Sequence, residues 1–434
     1  MFRLPVAMNA RLTAKSSIIG FLFVSSNSNS GYGLPPADTS VWLLDLLANI
    51  STYFVHLERR FDPFFRPAFD ALFRQLLTNL TNSLINLQRK NEGMELAEER
   101  IQPDEETHLD EIIADMGNQM RRLWKPGDFQ RCGNTKTHGI VRGEFIVRDD
   151  LPEHMRRGIF VEPRSYKAWV RFSGPGPYIT PDIDDVGFMS ISLKLMGVPG
   201  PKLLDDEKFT QDMFGVSPPT FVTCDTTSNA NLQYWSYRNA QIYHFLNFNQ
   251  PHILDLIMQS LWIKTQSSPL ESQYFSCVPY LLGEGQAMQY SFWSRRKKRT
   301  RVPRLPFRPP DNYLRDAMVA TLSQEEVEFD VLLQVQTDPH LMPIENNGVF
   351  WPTRRSPRIP AAVIRIPKQK FDSSEQLDFP RVLSFNPWHC ISEHRPLGNQ
   401  SRARLRLYKE LSTLRQTVNG VKHYEPTGDE VFPS

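Results

Sequence analysis

The sequence predicts an α+β protein in which an antiparallel β-barrel is surrounded by helices. Three observations lead to this prediction: a helical N-terminal part, a change to short β-branched and aromatic segments from about residue 137, and 34 prolines in 434 residues. Because proline interrupts helices and favours turns and strand ends, this content argues against a helical bundle. A chain of this length can bury a full core and has room for two or three domains.

Charge and cysteine content exclude several classes of protein. The 50 Lys and Arg nearly balance the 48 Asp and Glu, which gives a net charge of +2, so no global field indicates a nucleic-acid partner. The basic run Arg295–Arg301 lacks interleaved aromatic residues, and we interpret it as a solvated loop. The four cysteines show no metal-ligand or disulfide spacing, which predicts buried thiols and argues against a zinc site.

Residues 1–40 form a predicted leader. The first 37 residues contain no Asp or Glu and include the apolar run Ile18–Val24, which is too short to span a bilayer. A targeting segment and a disordered leader both fit this composition.

A helical arm is predicted over residues 41–125. Apolar residues recur at helical spacing from Val41 to Arg59, and further helices are predicted at 67–89 and 104–123, after turns at Asp62-Pro63 and Gln102-Pro103. Two interpretations of the arm stay open. It packs on the main domain or on another subunit of a homo-oligomer, or it is a peripheral membrane anchor whose apolar face ends in Arg59-Arg60.

Residues 126–385 are predicted to form the barrel core and residues 386–434 a C-terminal segment. An apolar helical region at 231–265 interrupts the β pattern of the core. The candidate strands are Gly139–Val147, Ala168–Phe172, Gly187–Leu195, Thr220–Thr223, Val327–Gln336 and Ala361–Ile366.

The C-terminal segment carries the chemically suggestive pattern. A helix is predicted over Arg402–Val418, and it places Arg404, Tyr408 and Arg415 on one face. Flanking guanidinium groups favour the anionic phenolate, which can ligate ferric iron. Taken alone, such a pattern is more typical of a packed tyrosine beside arginines whose stems cover apolar surface.

Wider motifs resemble the catalase superfamily of tyrosinate-ligated haem proteins, over about residues 125–420. The proximal motif of that family resembles Arg404-Leu-Arg-Leu-Tyr408 followed by Arg415. The distal motifs resemble Thr137-His138-Gly139, Val170-Arg171-Phe172-Ser173 and the block from Asp184 to Lys194, in that order. Each motif is short, and their order and spacing together are specific.

The resemblance implies a barrel of the catalase type, a haem b cofactor with ferric iron, and a role for each matched residue. Tyr408 is the implied axial metal ligand, Arg404 keeps it ionised, and Arg171 and Arg415 bind charged groups at the haem edge. His138 is the implied proton shuttle, with Ser173 beside it. Lys136 is either a propionate contact or an exposed lysine, and the acidic residues Asp338 and Glu345 are expected to be structural.

Two departures from the family pattern bear on activity. Thr137 replaces the aliphatic residue that true catalases have before the distal histidine, as in the catalase-like allene oxide synthases, and its hydroxyl is expected to hydrogen-bond His138. The stretch Met213–Phe221 contains no counterpart of the distal Asn, and Val216 is nearest. We therefore expect an enzyme for organic or fatty-acid hydroperoxides rather than hydrogen peroxide. The alternatives are a true catalase and a non-catalytic haem-binding protein.

Overall fold

The computed structural model describes residues 42–238, 240–246 and 251–433, so the predicted leader lies outside the described residues. The predicted helical arm contains α1 (Trp42–Phe69), a π-helical turn (Asp70–Arg74), α2 (Gln75–Gln88) and α3 (Glu105–Leu123). Helices are thus present where the sequence predicted them. The predicted turn at Asp62-Pro63 is wrong, since α1 continues through Pro63 and Pro67.

A tertiary contact explains why Pro63 does not end α1. Proline has no N–H, so the carbonyl of Arg59, four residues earlier, loses its helical donor. The hydroxyl of Thr265 donates to that carbonyl at 2.5 Å, and the Thr265 N–H donates to the Asp62 carboxylate at 2.6 Å. The missing helical bond is therefore replaced from a residue some 200 positions away, which local sequence rules do not detect.

The strands form a closed antiparallel barrel, which confirms the predicted fold class. In the hydrogen-bonded order β5-β4-β3-β2-β1-β9-β8-β7, an additional pairing of β5 with β7 closes the ring into eight strands, and β6 lies beside β7. The strands are β1 (Thr137–Val147), β2 (Ser165–Ser173), β3 (Ser190–Met196), β4 (Thr210–Val216), β5 (Gln273–Phe275), β6 (Tyr280–Leu281), β7 (Ala287–Ser294), β8 (Val327–Val335) and β9 (Ile359–Ile366).

The predicted strands agree with the structure except for Thr220–Thr223. Five of them overlap β1, β2, β3, β8 and β9, whereas Thr220–Thr223 is irregular and Phe221 N–H donates to the Asn347 carbonyl at 2.9 Å. The sequence did not predict β4, β5, β6 or β7. In β4, Gln211 and Asp212 are buried polar residues. These polar residues interrupt the alternation of apolar and polar side chains that is expected of a strand with one face in water.

The barrel interior is a packed core. Phe172, Tyr274 and Phe329 form a cluster with ring centroids 6.1 to 6.2 Å apart, and all three side chains are fully buried. Side chains alternate along each strand, so Arg171 of β2 and Phe214 of β4 point to the outside of the barrel wall. A ligand site built from these residues therefore lies outside the barrel.

Helices cover that outer wall. The predicted C-terminal helix is present as α9, which packs against α3 and α4 and ends at Gly420, whose backbone is left-handed (φ 65°). Within the part of the chain that the structure describes, no helix combines the length and the apolar character needed to cross a membrane. The helices after the arm are α4 (Thr226–Tyr237), α5 (Ile242–Leu246), α6 (Ile253–Trp262), α7 (Tyr313–Leu322), α8 (Ser374–Asp378) and α9 (Asn399–Asn419).

The basic run at 295–301 is tied to the barrel by ion pairs. Arg295 bonds Asp330 at 2.6 Å, and Arg296 bonds Glu325 at 2.8 Å as well as the buried carboxylate of Glu271. The charges of Arg295 and Arg296 are neutralised within the protein, which is typical of a structured surface loop.

Candidate functional site

A cavity lies between the outer barrel wall and the helices α3 and α9. It holds about 700 Å³ free of protein atoms, including its open mouth. Its lining combines apolar side chains, three guanidinium groups and one tyrosine: Met116, Met120, Arg131, Cys132, Gly133, Asn134, Arg171, Ser192, Phe214, Ser384, Phe385, Leu407, Tyr408, Leu411, Ser412 and Arg415.

Helix α9 supplies the tyrosine. Tyr408 and Arg415 are seven residues apart, so the helix presents both on the face that lines the cavity. The ring of Phe214 meets the Tyr408 ring edge-on, with centroids 6.0 Å apart. Arg404, one turn earlier, stacks over the Phe221 ring at 4.9 Å and does not line the cavity. The structure therefore brings Tyr408 and Arg415 together at the cavity, with Arg404 behind them.

Arg131, Arg171 and Arg415 concentrate positive charge at the cavity. Arg131 donates to the carbonyls of Pro380 and Leu383 at 2.6 and 2.8 Å, and Arg415 donates to the Leu383 carbonyl at 2.9 Å. In the described part of the chain, none of the three guanidinium groups has a carboxylate within ion-pair distance. Carbonyl dipoles solvate these charges without neutralising them.

Burial and mutual repulsion destabilise the charged forms of these arginines. Burial lowers the pKa of Arg415 to about 10, and burial together with Arg415 lowers the pKa of Arg171 to about 9. Burial, followed by the charges of Arg415 and Arg171, lowers the pKa of Arg131 well below its usual value. An anionic group entering the cavity relieves this repulsion. The donor set fits haem, whose two propionates are anionic and whose iron accepts a tyrosinate ligand.

Thr137 and Ser173 hold Arg171 in place. The Nε and Nη2 atoms of Arg171 donate to the Thr137 hydroxyl at 3.0 and 2.8 Å, and Nη1 donates to the Ser173 hydroxyl at 3.3 Å. The predicted hydrogen bond between Thr137 and His138 is wrong, because neither ring nitrogen of His138 has a partner among the described residues. The two hydroxyls position a guanidinium group instead of an imidazole.

His138 lies outside the cavity wall. Its ring is 1% exposed and stands 3.6 Å from the Asp182 carboxylate, and it is absent from the cavity lining. Burial, followed by the charges of Lys136 and Arg315, lowers its pKa well below the usual value, so the ring is neutral. The catalytic role that the resemblance implies for His138 therefore has no support from the cavity geometry.

Lys136 fits neither of its two predicted roles. Its ammonium forms an ion pair with Asp182 at 2.7 Å and donates to the carbonyls of Thr180 and Asp311 at 2.6 and 2.8 Å. The side chain is 5% exposed and does not line the cavity, so it is a buried structural cation.

Asn134, like Arg131, is a polar cavity residue that the sequence analysis missed. Its backbone is left-handed (φ 51°), a conformation that Asn adopts more readily than most residues, and the residue lines the cavity together with Tyr408. The Ser190 hydroxyl donates to Asn134 Oδ1 at 2.6 Å, so the amide nitrogen of Asn134 points away from this hydroxyl. The available signal was Gly133-Asn134, a turn-prone pair directly before the first strand.

A buried ion cluster fixes the segment behind the cavity. Lys194 bonds Glu207 and Asp212 at the outer barrel wall, and Asp212 also accepts from His389 Nδ1 and from the N–H of Asn386, both at 2.9 Å. Ser384 and Phe385, which line the cavity, directly precede Asn386. Since an ammonium already supplies the cation, this Glu, Asp and His set is an ion-pair network.

The charge state of His389 predicts a pH-dependent stability. Burial and Lys194 oppose its protonation, but hydrogen bonds to Asp206 and Asp212 raise its pKa to about 9. Because the pKa of His389 is higher in the folded than in the unfolded protein, its protonation stabilises the fold fully below about pH 6.5, the unfolded pKa. This contribution is lost as the pH rises through about 9. We expect His389→Asn to cost on the order of 3 kcal/mol below about pH 6.5 and much less above about pH 9.

Urea unfolding of wild type and His389→Asn across this pH range measures the difference. The exposed His154→Asn is the control, and its cost should be small at every pH. An equal cost of His389→Asn at both ends of the range would contradict a charged His389.

Comparison with known proteins shows a likeness in fold. No family model matches the chain, and no curated protein matches it in sequence. Among solved structures, a fungal catalase superimposes with a TM-score of 0.53 at 14% identity, over 69% of this chain and 61% of that one. Catalase A from Saccharomyces cerevisiae superimposes with a TM-score of 0.52 at 14% identity, over 72% of this chain and 68% of that one. This chain therefore spans about three fifths of the first of these proteins.

Proposed function

We propose that this chain, which has a catalase-like fold, binds haem in the cavity through Tyr408 and acts on peroxides, with organic hydroperoxides as preferred substrates. The observation that carries the proposal is one cavity that joins Tyr408 to Arg131, Arg171 and Arg415, three guanidinium groups without carboxylate partners in the described chain. A tyrosine oxygen and a cationic rim are complementary to an iron porphyrin with two carboxylates.

The residues around the cavity have separate tasks in this proposal. Bound haem would supply an iron centre for peroxide chemistry. Tyr408 would hold the iron from α9, and Arg171 and Arg415 would bind the propionates, with Thr137 and Ser173 fixing Arg171. The apolar side chains of α3 and α9 exclude water from the porphyrin faces: Met116, Met120, Leu407 and Leu411.

The polar groups of the cavity favour organic hydroperoxides. Within the described residues, the lining contains no His, Asp or Glu, so proton transfer between peroxide oxygens lacks an efficient general acid or base. Asn134 provides an amide that can orient a bound oxygen. Hydrogen peroxide depends on such groups alone, whereas each buried methylene of a fatty-acid hydroperoxide contributes about 0.8 kcal/mol to binding.

A non-catalytic haem protein is the second candidate. The same lack of His, Asp and Glu in the described lining favours it, since haem carriers need no proton transfer. Lipid-hydroperoxide consumption by the haem-loaded protein distinguishes the two functions.

The proposed function predicts a spectrum and a ratio of activities. We expect the purified, haem-reconstituted protein to show a high-spin ferric spectrum with tyrosinate character. It should consume a polyunsaturated fatty-acid hydroperoxide at least tenfold faster than it releases oxygen from hydrogen peroxide, because the alkyl chain contributes binding energy. Both assays are run on one preparation. Rapid oxygen release without lipid consumption would make the protein a true catalase, and no haem uptake would remove the proposal altogether.

A further inference from the structure

Helices α1 and α2, together with the π-helical turn between them, carry a wide apolar surface, which we call the outer face. Over residues 61–87, no charged residue is exposed. Individual exposures of its members run from 42% to 81%, and soluble monomers rarely leave so many large apolar side chains in contact with water. The outer face consists of Phe61, Phe64, Phe65, Leu72, Phe73, Leu76, Leu80, Leu84 and Leu87.

The opposite side of the same helices is largely polar and faces the protein. Asp62 and Arg66 are buried, and the Arg66 guanidinium donates to the Ser260 carbonyl at 3.2 Å and to Asp70 at 2.9 Å. Ile85 adds an apolar contact at the end of α2. This arrangement reverses the usual surface helix, which buries its apolar side. Rotating α1 to bury Phe64 would remove these polar contacts. The buried ion pairs therefore hold α1 in the orientation that exposes the outer face.

The width of the outer face indicates what covers it. Phe64 and Phe65 are both exposed, as are Leu72 and Phe73, and consecutive helical residues point about 100° apart. One partner helix covers a narrow seam of residues spaced three or four apart, and it leaves one member of each such pair in water. A continuous apolar medium covers both members.

The structure assigns the outer face to a lipid bilayer surface. We infer that α1 and α2 lie in the plane of the membrane with their aromatic and leucine side chains inserted at the boundary between headgroups and acyl chains. The predicted basic end of the apolar face at Arg59-Arg60 is not available to lipid headgroups at Arg59. Arg59 is buried and donates to the Asp185 carbonyl, so it does not form a basic rim toward lipid headgroups. The inference therefore rests on apolar insertion and is independent of haem binding.

Vesicle flotation of the full-length protein tests the assignment. The probes are vesicles of phosphatidylcholine alone and of phosphatidylcholine with a minor share of phosphatidylserine. We expect wild type to float with both. The double variant Phe64→Ser, Leu72→Ser should lower the vesicle partition coefficient at least tenfold, since two large apolar side chains are removed from lipid. The matched control is Phe209→Ser, Phe307→Ser, whose side chains are 65% and 77% exposed elsewhere and should leave binding unchanged.

Two results would overturn the assignment. Wild-type protein that stays with neither vesicle but forms a dimer in light scattering, which Phe64→Ser, Leu72→Ser dissociates, would assign the outer face to a second copy of the chain. Flotation that requires phosphatidylserine and is equal for both double variants would show that binding does not use the outer face. Circular dichroism of each variant establishes that it is folded.

Discussion

Replacing Tyr408 with Phe should abolish or reorganise haem ligation while leaving the fold intact. The phenol oxygen of Tyr408 is the oxygen donor that α9 presents to the cavity, and Phe keeps the ring that packs against Phe214. Haem-loaded wild type and variant are compared by visible absorption and by electron paramagnetic resonance of the ferric iron. We expect loss of the tyrosinate signature and at least about 100-fold weaker retention of haem, since loss of a metal ligand costs several kcal/mol.

A tyrosine far from the cavity serves as the control. Tyr424 is partly exposed, and its hydroxyl donates to Glu430 at 2.9 Å. Tyr424→Phe should leave the haem spectrum unchanged. An unchanged spectrum in Tyr408→Phe would remove Tyr408 as the ligand, whatever the fate of the control.

The fold was predictable where local patterns and tertiary structure agree. The barrel strands β1, β2, β8 and β9 carry β-branched and aromatic runs, and α9 has a regular helical pattern up to Gly420. The sequence failed where distant contacts override local rules. Pro63 is accommodated by Thr265, and β4 tolerates Asp212 because Lys194 and His389 neutralise it. Such compensation is invisible until the chain is folded.

The site was predictable on its helical side and less so on its barrel side. The spacing of Tyr408 and Arg415 on one helix fixes their common direction, and the cavity contains both. The barrel side depends on the turn before β1, where a register irregularity between Thr137 and Gly139 changes which side chains face outward. A shift of one residue moves a side chain to the other face of a strand. His138 lies at this irregularity and does not line the cavity, whereas Asn134, in the turn before β1, does.

Placing an imidazole at position 134 should increase hydrogen peroxide turnover. Asn134→His puts a general acid and base into a cavity wall that has none among the described residues. Histidine is one of the side chains that tolerates the left-handed backbone found there (φ 51°), so the change is compatible with the local structure. A positioned proton donor and acceptor contributes about 100-fold or more, and we expect oxygen release from hydrogen peroxide to rise by about that factor.

The matched control replaces the buried histidine instead. His138→Ala should retain haem and change peroxide turnover by less than about tenfold, because its ring does not line the cavity. A loss of about 100-fold in His138→Ala, with no gain in Asn134→His, would restore His138 as the proton shuttle. That result would also mean that its ring reaches the bound peroxide by a movement of the turn at Thr137. Gain at position 134 with little loss at position 138 would identify Asn134 as the residue that separates this chain from efficient hydrogen peroxide dismutation, since residue 134 lines the cavity and residue 138 does not.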